Sequence, residues 1–181
     1  KAELGHTDYV YQIPGPLTDS MFNANPRLST RLRNYYEPDI YLPSLTLNWQ
    51  ITPRTRLQWV NSMVLGFRNS VMIDAFATIK DAIDPATAQY KNRQVDMDQF
   101  NSFTSELRLS HQYRLGTMSG VLVGGVQVMN NDLNRKQLGK GTTGSDYDLT
   151  LLVADDWGRD MHFRTKNVAR FVENLLYISP K

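Results

Sequence analysis

The sequence lacks several features that would assign a function class at once. It has no cysteine among its 181 residues, which excludes a disulfide scaffold and thiolate metal sites. It has no apolar run that approaches the roughly 20 residues of a membrane-spanning helix. Its charge is nearly balanced, with 20 basic against 18 acidic residues, so we expect no nucleic-acid partner.

Catalytic motifs are missing as well. The chain contains no G-x-S-x-G, no H-E-x-x-H and no phosphate-binding loop with its lysine. Its histidines, His6, His111 and His162, are far apart and lack the spacing of metal ligands. We therefore expect no enzymatic activity, no cofactor and no metal site. Lys1–Gly5 resembles no part of a signal peptide, and we interpret the chain as an internal piece of a longer protein.

What the sequence does contain is strict alternation within Tyr41–Phe67. The apolar positions are Leu45, Leu47, Trp49 and Ile51, and the polar positions are Ser44, Thr46, Asn48 and Gln50. A period of two predicts a strand with one apolar and one polar face. Thr52-Pro53-Arg54 then predicts a tight turn, because proline presets φ and cannot donate to a ladder. Thr55–Phe67 returns as a second arm, and both arms reach roughly 10 residues or more, against about 5–6 in a usual soluble strand.

Four further extended segments complete a set of six predicted strands. They are Lys1–Tyr11, Phe100–Arg114, Met118–Met129 and Met161–Ser179. Leu115-Gly116-Thr117 predicts a second tight turn, and Pro180 is expected to open a third. The last strand alternates poorly, so the sequence leaves open whether Phe171 or Val172 lies on its apolar side.

Three long connections separate these hairpins. They are Gln12–Asp39, Arg68–Gln99 and Asn130–Asp160. The first predicts one helical turn within Thr18–Asn25, capped by Thr18 or Asp19. The second predicts a short helix over Ala77–Ile83 that ends before Pro85. Loops of this length in compact domains are usually functional or disordered.

Long strands joined alternately by short turns and long loops predict an all-β fold. The pattern is typical of a membrane-spanning antiparallel β-barrel with short periplasmic turns and long extracellular loops. Barrel closure satisfies every backbone donor and acceptor inside the bilayer. The alternative is a soluble all-β domain with large insertions, although a sandwich would show turn signals at roughly every 8–12 residues.

Aromatic residues fall where such a barrel meets the two membrane surfaces. Those near the predicted turns are Trp49, Trp59 and Tyr113, and those near the loops are Tyr9, Tyr11 and Tyr41. Tryptophan and tyrosine concentrate at membrane–water interfaces. We expect the first set in a periplasmic belt and the second in an outer belt.

Several phrases of the sequence, in this order, resemble TonB-dependent outer-membrane receptors, with the ferric-citrate-receptor-like branch as the nearest. They are DYVYQIPGPLTDSMFNANPR, STRLRNYYEPDIYLPSLTLNWQITPRTRLQW, the RNS of Arg68–Ser70, DPATAQY, RQVDMDQFNSFTSELRL and NVARFVENLLYISPK. The resemblance implies a plugged barrel of about 22 strands, of which residues 1–181 would supply about six from one barrel domain. The plug and the segment that contacts TonB lie N-terminal in this family, outside this sequence.

In such receptors extracellular loops capture the substrate, and an anionic iron chelate suits guanidinium groups because arginine binds carboxylate bidentately. The candidate ligand-binding residues are Arg27, Arg31, Arg33 and Arg93, with Tyr35, Tyr36 and Tyr90 as aromatic neighbours. The alternative role for these arginines is structural. They would then pair with the loop aspartates Asp19, Asp39, Asp96 and Asp98, or with lipopolysaccharide phosphates.

The resemblance thus implies a receptor for active uptake in the bacterial outer membrane. Its partners would be an iron chelate such as ferric citrate or another siderophore, outer-membrane lipid and lipopolysaccharide, and the TonB complex through the N-terminal plug. Two other functions stay open on the sequence alone. They are a passive outer-membrane porin, which would lack the plug, and a soluble β-rich binding module.

Overall fold

The computed structural model describes residues 1–178 and shows an all-β chain, as the sequence predicts. Within these residues the strands are β1 (Ala2–Asp8), β2 (Tyr11–Gln12), β3 (Tyr35–Thr52), β4 (Thr55–Met72), β5 (Gln94–Leu115), β6 (Met118–Lys140) and β7 (Arg159–Tyr177). A single helix, α1, covers Asp19–Ala24. No helix in this described part is long and apolar enough to cross a membrane.

The strands form one antiparallel sheet in the order β1-β3-β4-β5-β6-β7, and β2 continues β1 along β3. In the described residues the sheet stays open, with β1 and β7 at its two edges. Every pairing is antiparallel, and from β3 onward each strand pairs with the next one along the chain. The prediction of six long extended segments is confirmed in this form, with β1 and β2 acting as one interrupted strand.

The connections are strongly asymmetric between the two ends of the sheet. At one end, here the turn end, β3 meets β4 and β5 meets β6 through two-residue turns, Pro53-Arg54 and Gly116-Thr117. Gly116 has φ +61°, a left-handed conformation that glycine adopts without strain. At the other end, the loop end, residues 13–34, 73–93 and 141–158 connect the strands. The predicted alternation of short and long connections is confirmed.

The boundaries of the long connections differ from the prediction. Strands β3 to β6 run several residues further toward the loop end, so β3 begins at Tyr35 rather than Tyr41 and β6 ends at Lys140 rather than Met129. The predicted ends of the last strand at Ser179 and of its turn at Pro180 lie outside the described residues. The strands are therefore long, between 18 and 23 residues from β3 to β7.

The two helical predictions have opposite outcomes. Helix α1 is present with Thr18 as its N-cap, where the Thr18 hydroxyl accepts from the Met21 amide at 3.2 Å. The prediction of a helix over Ala77–Ile83 is wrong, since this segment consists of turns and irregular backbone. Just before this segment, the backbone carbonyls of Ala75 and Phe76 accept hydrogen bonds from the buried Arg31 of the first loop.

The strand register separates the side chains into two faces. The apolar face carries Leu45, Leu47, Trp49, Leu57, Trp59, Met63, Phe103, Leu107, Leu109, Val126, Val128 and Val172. The polar face carries Ser44, Thr46, Asn48, Gln58, Ser62, Thr104, Glu106, Arg108, Gln127 and Phe171. The register therefore answers the question that the sequence left open for β7, with Val172 on the apolar side. The apolar face is exposed, since Trp49 is 66% and Leu47 46% accessible.

The predicted aromatic sets divide differently between the faces. Trp49, Trp59 and Tyr113 all lie on the apolar face toward the turn end. Tyr41 lies on the same face toward the loop end, stacked on His6 with ring centroids 4.0 Å apart. Tyr9 and Tyr11 do not join it, because Tyr11 pairs with Tyr36 on the opposite side and its ring contacts that of Tyr9.

The buried apolar side chains lie at the loop end rather than in the middle of the sheet. Val71 and Val95 pair across β4 and β5 and are both fully buried. Gly139 pairs with Val95, and a Cβ at Gly139 would meet Leu151 and Trp157 of the third loop. The loops thus pack against the extension of the apolar face, and they shield the strand ends there from solvent.

Candidate functional site: an arginine-braced loop assembly

The three long loops, residues 13–34, 73–93 and 141–158, form one packed unit that we term the loop assembly. Its three largest buried side chains are arginines of the predicted site, Arg31, Arg33 and Arg93, each no more than 2% exposed. A buried guanidinium is costly unless its donors are satisfied. The contacts of these arginines therefore show whether their donors bind the protein itself or stay free for a ligand.

Arg33 joins all three loops through its guanidinium. Its Nε donates to Asp81 Oδ2 at 3.0 Å and its Nη2 to Asp81 Oδ1 at 2.5 Å, a bidentate pair that is almost fully buried. Its Nη1 donates to the carbonyls of Thr143 and Gly144 at 3.1 and 3.0 Å. The Tyr90 ring covers the guanidinium with 4.1 Å between its centroid and the Arg33 Cζ. Arg33 is thus held from every side by its own chain.

Arg31 makes a simpler bridge between the first two loops. Its Nη2 donates to the carbonyls of Ala75 and Phe76 at 3.2 and 3.1 Å, and its Nη1 to Thr30 at 3.0 Å. The Arg31 Nε has no acceptor within the described residues. Because the side chain is 1% exposed, these carbonyls replace the water that the guanidinium loses on folding.

Arg93 ties the start of β5 to the first and third loops. Its Nη1 donates to the Asp146 carbonyl at 2.7 Å and to the Arg33 carbonyl at 3.1 Å. Burial first, and then the neighbouring Arg33 charge, lower the pKa of the Arg93 guanidinium, although it stays protonated because arginine titrates far above neutral pH. The guanidiniums of Arg33 and Arg93 thus lie next to each other, and both donate to backbone carbonyls.

Tyr147 anchors the third loop to the end of the sheet. Its hydroxyl donates to Glu37 Oε2 in β3, and the same oxygen accepts from Asn69 Nδ2 at 2.8 Å. Its ring meets that of Tyr35 edge-on at 6.2 Å. Desolvation, and after it the hydrogen bond to Glu37, raise the pKa of the Tyr147 phenol above its usual range.

A second polar anchor lies next to Tyr147 in the same loop. Asp148 accepts from the Thr150 amide at 2.9 Å and from the Thr142 hydroxyl at 2.9 Å. The hydrogen bonds from Thr150 are the main cause that lowers the pKa of the Asp148 carboxyl. Asp148 is thus ionised at neutral pH and fixes a turn within the loop.

The structure brings only part of the predicted ligand-binding set together. Arg31, Arg33, Arg93 and Tyr90 lie within the loop assembly, where the three guanidiniums bind its own backbone and Asp81 and the Tyr90 ring covers Arg33. Tyr35 and Tyr36 lie at the start of β3 and are half-buried. Arg27 stands apart and is exposed.

Arg27 lines a separate surface cavity of about 510 Å³ that the first loop forms by itself. Phe22 of α1, Leu28 and Asp19 also line this cavity. A ligand role for Arg27, and for the two tyrosines of β3, stays a prediction.

The partners that the sequence suggested for the arginines differ from those observed. Asp98 was one candidate, but it binds Arg68 and Arg135 from neighbouring strands instead. Arg33 is paired with Asp81. The sequence analysis misses the row of Arg68, Asp98 and Arg135, because it assigns all three to the long connections, whereas they lie in extensions of β4, β5 and β6.

The chemistry of the arrangement is that of charge pairing: a loop assembly that holds three buried arginines and a polar sheet face with exposed arginines. No family model, no curated protein and no solved structure matches the chain.

Proposed function

We propose that this chain forms part of a membrane-spanning β-barrel in the bacterial outer membrane. The observation that carries the proposal is the exposed apolar face, on which residues such as Leu47, Trp49 and Leu107 are between about two fifths and two thirds accessible. Soluble proteins rarely expose contiguous apolar patches beyond a few hundred Å². Lipid is the partner that would remove such a wide face from water without a second protein.

The strand dimensions agree with this proposal. Strands of 18–23 residues at about 3.4 Å per residue would be roughly 60–80 Å long. Tilted by about 45° they still exceed an apolar band of about 25 Å. The part of each strand that extends beyond this band lies at the loop end, where the sheet becomes polar and carries the loop assembly. We place the loop end outside the cell and the turn end in the periplasm.

The polar face would then line a wet interior. It carries the ion pair of Glu106 and Arg108, whose charged atoms lie 2.8 Å apart, and Gln127 donates to the same glutamate at 3.2 Å. Glu106 and Arg108 lie two positions apart on the same side of β5, and Gln127, the partner of Glu106 in the register, links the pair to β6. In β3 to β5 below the loop end, charged side chains lie on this face and apolar ones on the other, which is the arrangement of an outer-membrane barrel. In β7 the apolar side also carries Lys166 and Arg170.

Within that class we propose active uptake of an iron chelate by a TonB-dependent receptor. The resemblance of the quoted phrases supports this choice, and the open sheet agrees with a segment of a larger barrel. The chelate, a ferric citrate or another siderophore, would enter from the loop end. The TonB complex would act through an N-terminal plug, and lipid and lipopolysaccharide would surround the apolar face.

Growth on defined iron sources tests the uptake function. A strain that lacks the gene should fail to grow when one ferric chelate is its only iron source, and loss of TonB should produce the same failure. A passive porin would instead restore uptake without TonB and conduct small solutes in a planar bilayer. Recovery of the intact protein from cells without detergent would favour a soluble module and contradict the proposal.

A further inference from the structure

Three charged residues form a straight row across the polar face near the loop end. Arg68 of β4, Asp98 of β5 and Arg135 of β6 are direct partners in the strand register. We term this row the arginine clamp. Arg68 donates from Nε and Nη2 to Asp98 Oδ2 at 3.0 and 2.8 Å. Arg135 donates from Nε to Oδ1 and from Nη2 to Oδ2, both at 2.8 Å.

One carboxylate therefore holds two guanidinium groups, and Asp96, two positions away on the same side of β5, is a second negative charge that acts on Arg135. Each guanidinium has five N–H donors, and the contacts with Asp98 use two of them. Within residues 1–178 the remaining donors of both arginines have no protein acceptor among the hydrogen bonds found. The Arg68 guanidinium also lies over the Phe100 ring at 5.4 Å, which restricts its orientation.

A shared, buried carboxylate combined with partly exposed guanidiniums distinguishes this row from the other arginines of the described residues. Asp98 is 4% exposed, whereas the Arg68 and Arg135 side chains are 42% and 27% exposed. Arg31, Arg33 and Arg93 of the loop assembly show the opposite state, with buried guanidiniums that bind backbone carbonyls and, for Arg33, also Asp81. Arg108, lower on the polar face, has a carboxylate of its own in Glu106. The clamp is thus the place where two guanidiniums share one carboxylate and still reach solvent.

We propose that the arginine clamp is a binding subsite for the carboxylate or phosphate oxygens of a small anion. The inference rests on the polar face meeting water, as the proposed function requires. Asp98 fixes both forks in place before the anion arrives, so little side-chain entropy is lost on binding. The free N–H groups then donate to the anion in the bidentate geometry that arginine offers and lysine does not.

Titration calorimetry on the full-length protein in detergent tests the subsite, with succinate and inorganic phosphate as separate probes. Either probe should bind, and the tighter one identifies the preferred oxyanion. Arg135→Gln and Arg68→Gln should each weaken binding about tenfold or more, since each removes charge-assisted donors. Arg56→Gln is the matched control. Arg56 lies on the same polar face but donates to Asn48 at 2.7 Å, and its loss should leave binding unchanged.

Asp98→Asn separates binding from a purely structural role. It removes the negative charge and leaves both guanidiniums, so anion affinity should rise severalfold while the melting temperature falls. A structural ion pair alone would lower the melting temperature without any gain in affinity. If Asp98→Asn does not fold, the two arginine variants decide the matter.

Two results would overturn the proposal: neither probe binds the folded wild type, or Arg56→Gln weakens binding as much as Arg135→Gln. Neither result bears on the membrane proposal, which the labelling experiment at the end of the Discussion tests separately.

Discussion

At the scale of single residues, buried arginine is the feature that organises the loop end. Arg31, Arg33 and Arg93 donate to groups between 44 and 111 residues away in sequence, mostly backbone carbonyls, apart from one contact to the neighbouring Thr30. The sequence identified these residues because basic side chains clustered in long loops. It could not identify their role, since the choice between a ligand and a backbone carbonyl depends on how the loops fold together.

Replacement of Arg33 by alanine tests this structural role. The change leaves the buried Asp81 carboxylate without its ion-pair partner and removes the contacts to the third loop. We therefore expect the stability of the loop assembly to fall by about 3–5 kcal/mol. Hydrogen exchange of residues 73–93 and 141–158 should accelerate together. Arg27→Ala, in the same loop but exposed, is the control and should leave exchange in both segments unchanged. Equal effects of the two variants would contradict the assignment.

Tyr147 gives the assembly a dependence on alkaline pH. Its folded-state pKa is raised above the usual value near 10, so the neutral phenol is the form that the folded state favours. Its contribution to stability is complete below pH 10, where the unfolded tyrosine is also protonated. It is lost as the pH rises from there through the raised folded-state pKa.

Fluorescence of Trp157, in the same loop, measures this release. In the wild type its signal should change above about pH 10, as the third loop leaves Glu37. Tyr147→Phe removes the titrating group, so this phase should disappear. An unchanged alkaline transition in Tyr147→Phe would show that another group controls the loop.

At the scale of elements, the sequence predicted the strands where alternation was strong and misjudged their ends where it was weak. Residues 44–51 alternate strictly between polar and apolar side chains, and they lie inside β3. Residues 130–140 of β6 are mostly polar and show no period of two, yet they pair with both neighbours. A strand with polar residues on both sides carries no periodic signal, and its neighbours in the sheet determine its conformation.

The failed helix over Ala77–Ile83 has a comparable cause. Its residues are acceptable in a helix, but Asp81 is drawn to Arg33, and the carbonyls of Ala75 and Phe76 accept from Arg31. These contacts come from a loop about 45 residues earlier in the chain. Tertiary contacts therefore override a weak local preference, and the composition of the segment did not reveal them.

Gly66 is an element-scale requirement that can be tested. It has φ +139° where β3 and β4 pair at Ile40, and a Cβ there would overlap the carbonyl of Asp39. Gly66→Ala should separate the strands locally and lower the melting temperature by several degrees or prevent folding. Gly124→Ala is the matched control, since its Cβ would lie 3.8 Å from the nearest atom, the Phe171 carbonyl oxygen. Similar melting temperatures for both variants would show that the close approach is not needed.

At the scale of the whole molecule, the sheet has an apolar and a polar face, and a turn end that differs from its loop end. The sequence predicted the faces of β3 to β5 because their alternation is regular, and the register extends them to β6 and β7, where it is not. The apolar face is exposed, the polar face carries charges, and the buried residues gather at the loop end. This distribution inverts that of a soluble domain, in which the apolar side would form the core.

Site-directed labelling of β3 tests the central claim most directly. The chain has no native cysteine, so single cysteines at positions 44 to 49 each carry one spin label. In lipid vesicles, labels at positions 45, 47 and 49 should relax with oxygen, which concentrates in the bilayer. Labels at positions 44, 46 and 48 should relax with a water-soluble nickel complex. Protection of positions 45, 47 and 49 from both reagents, or their preference for the aqueous one, would contradict the account.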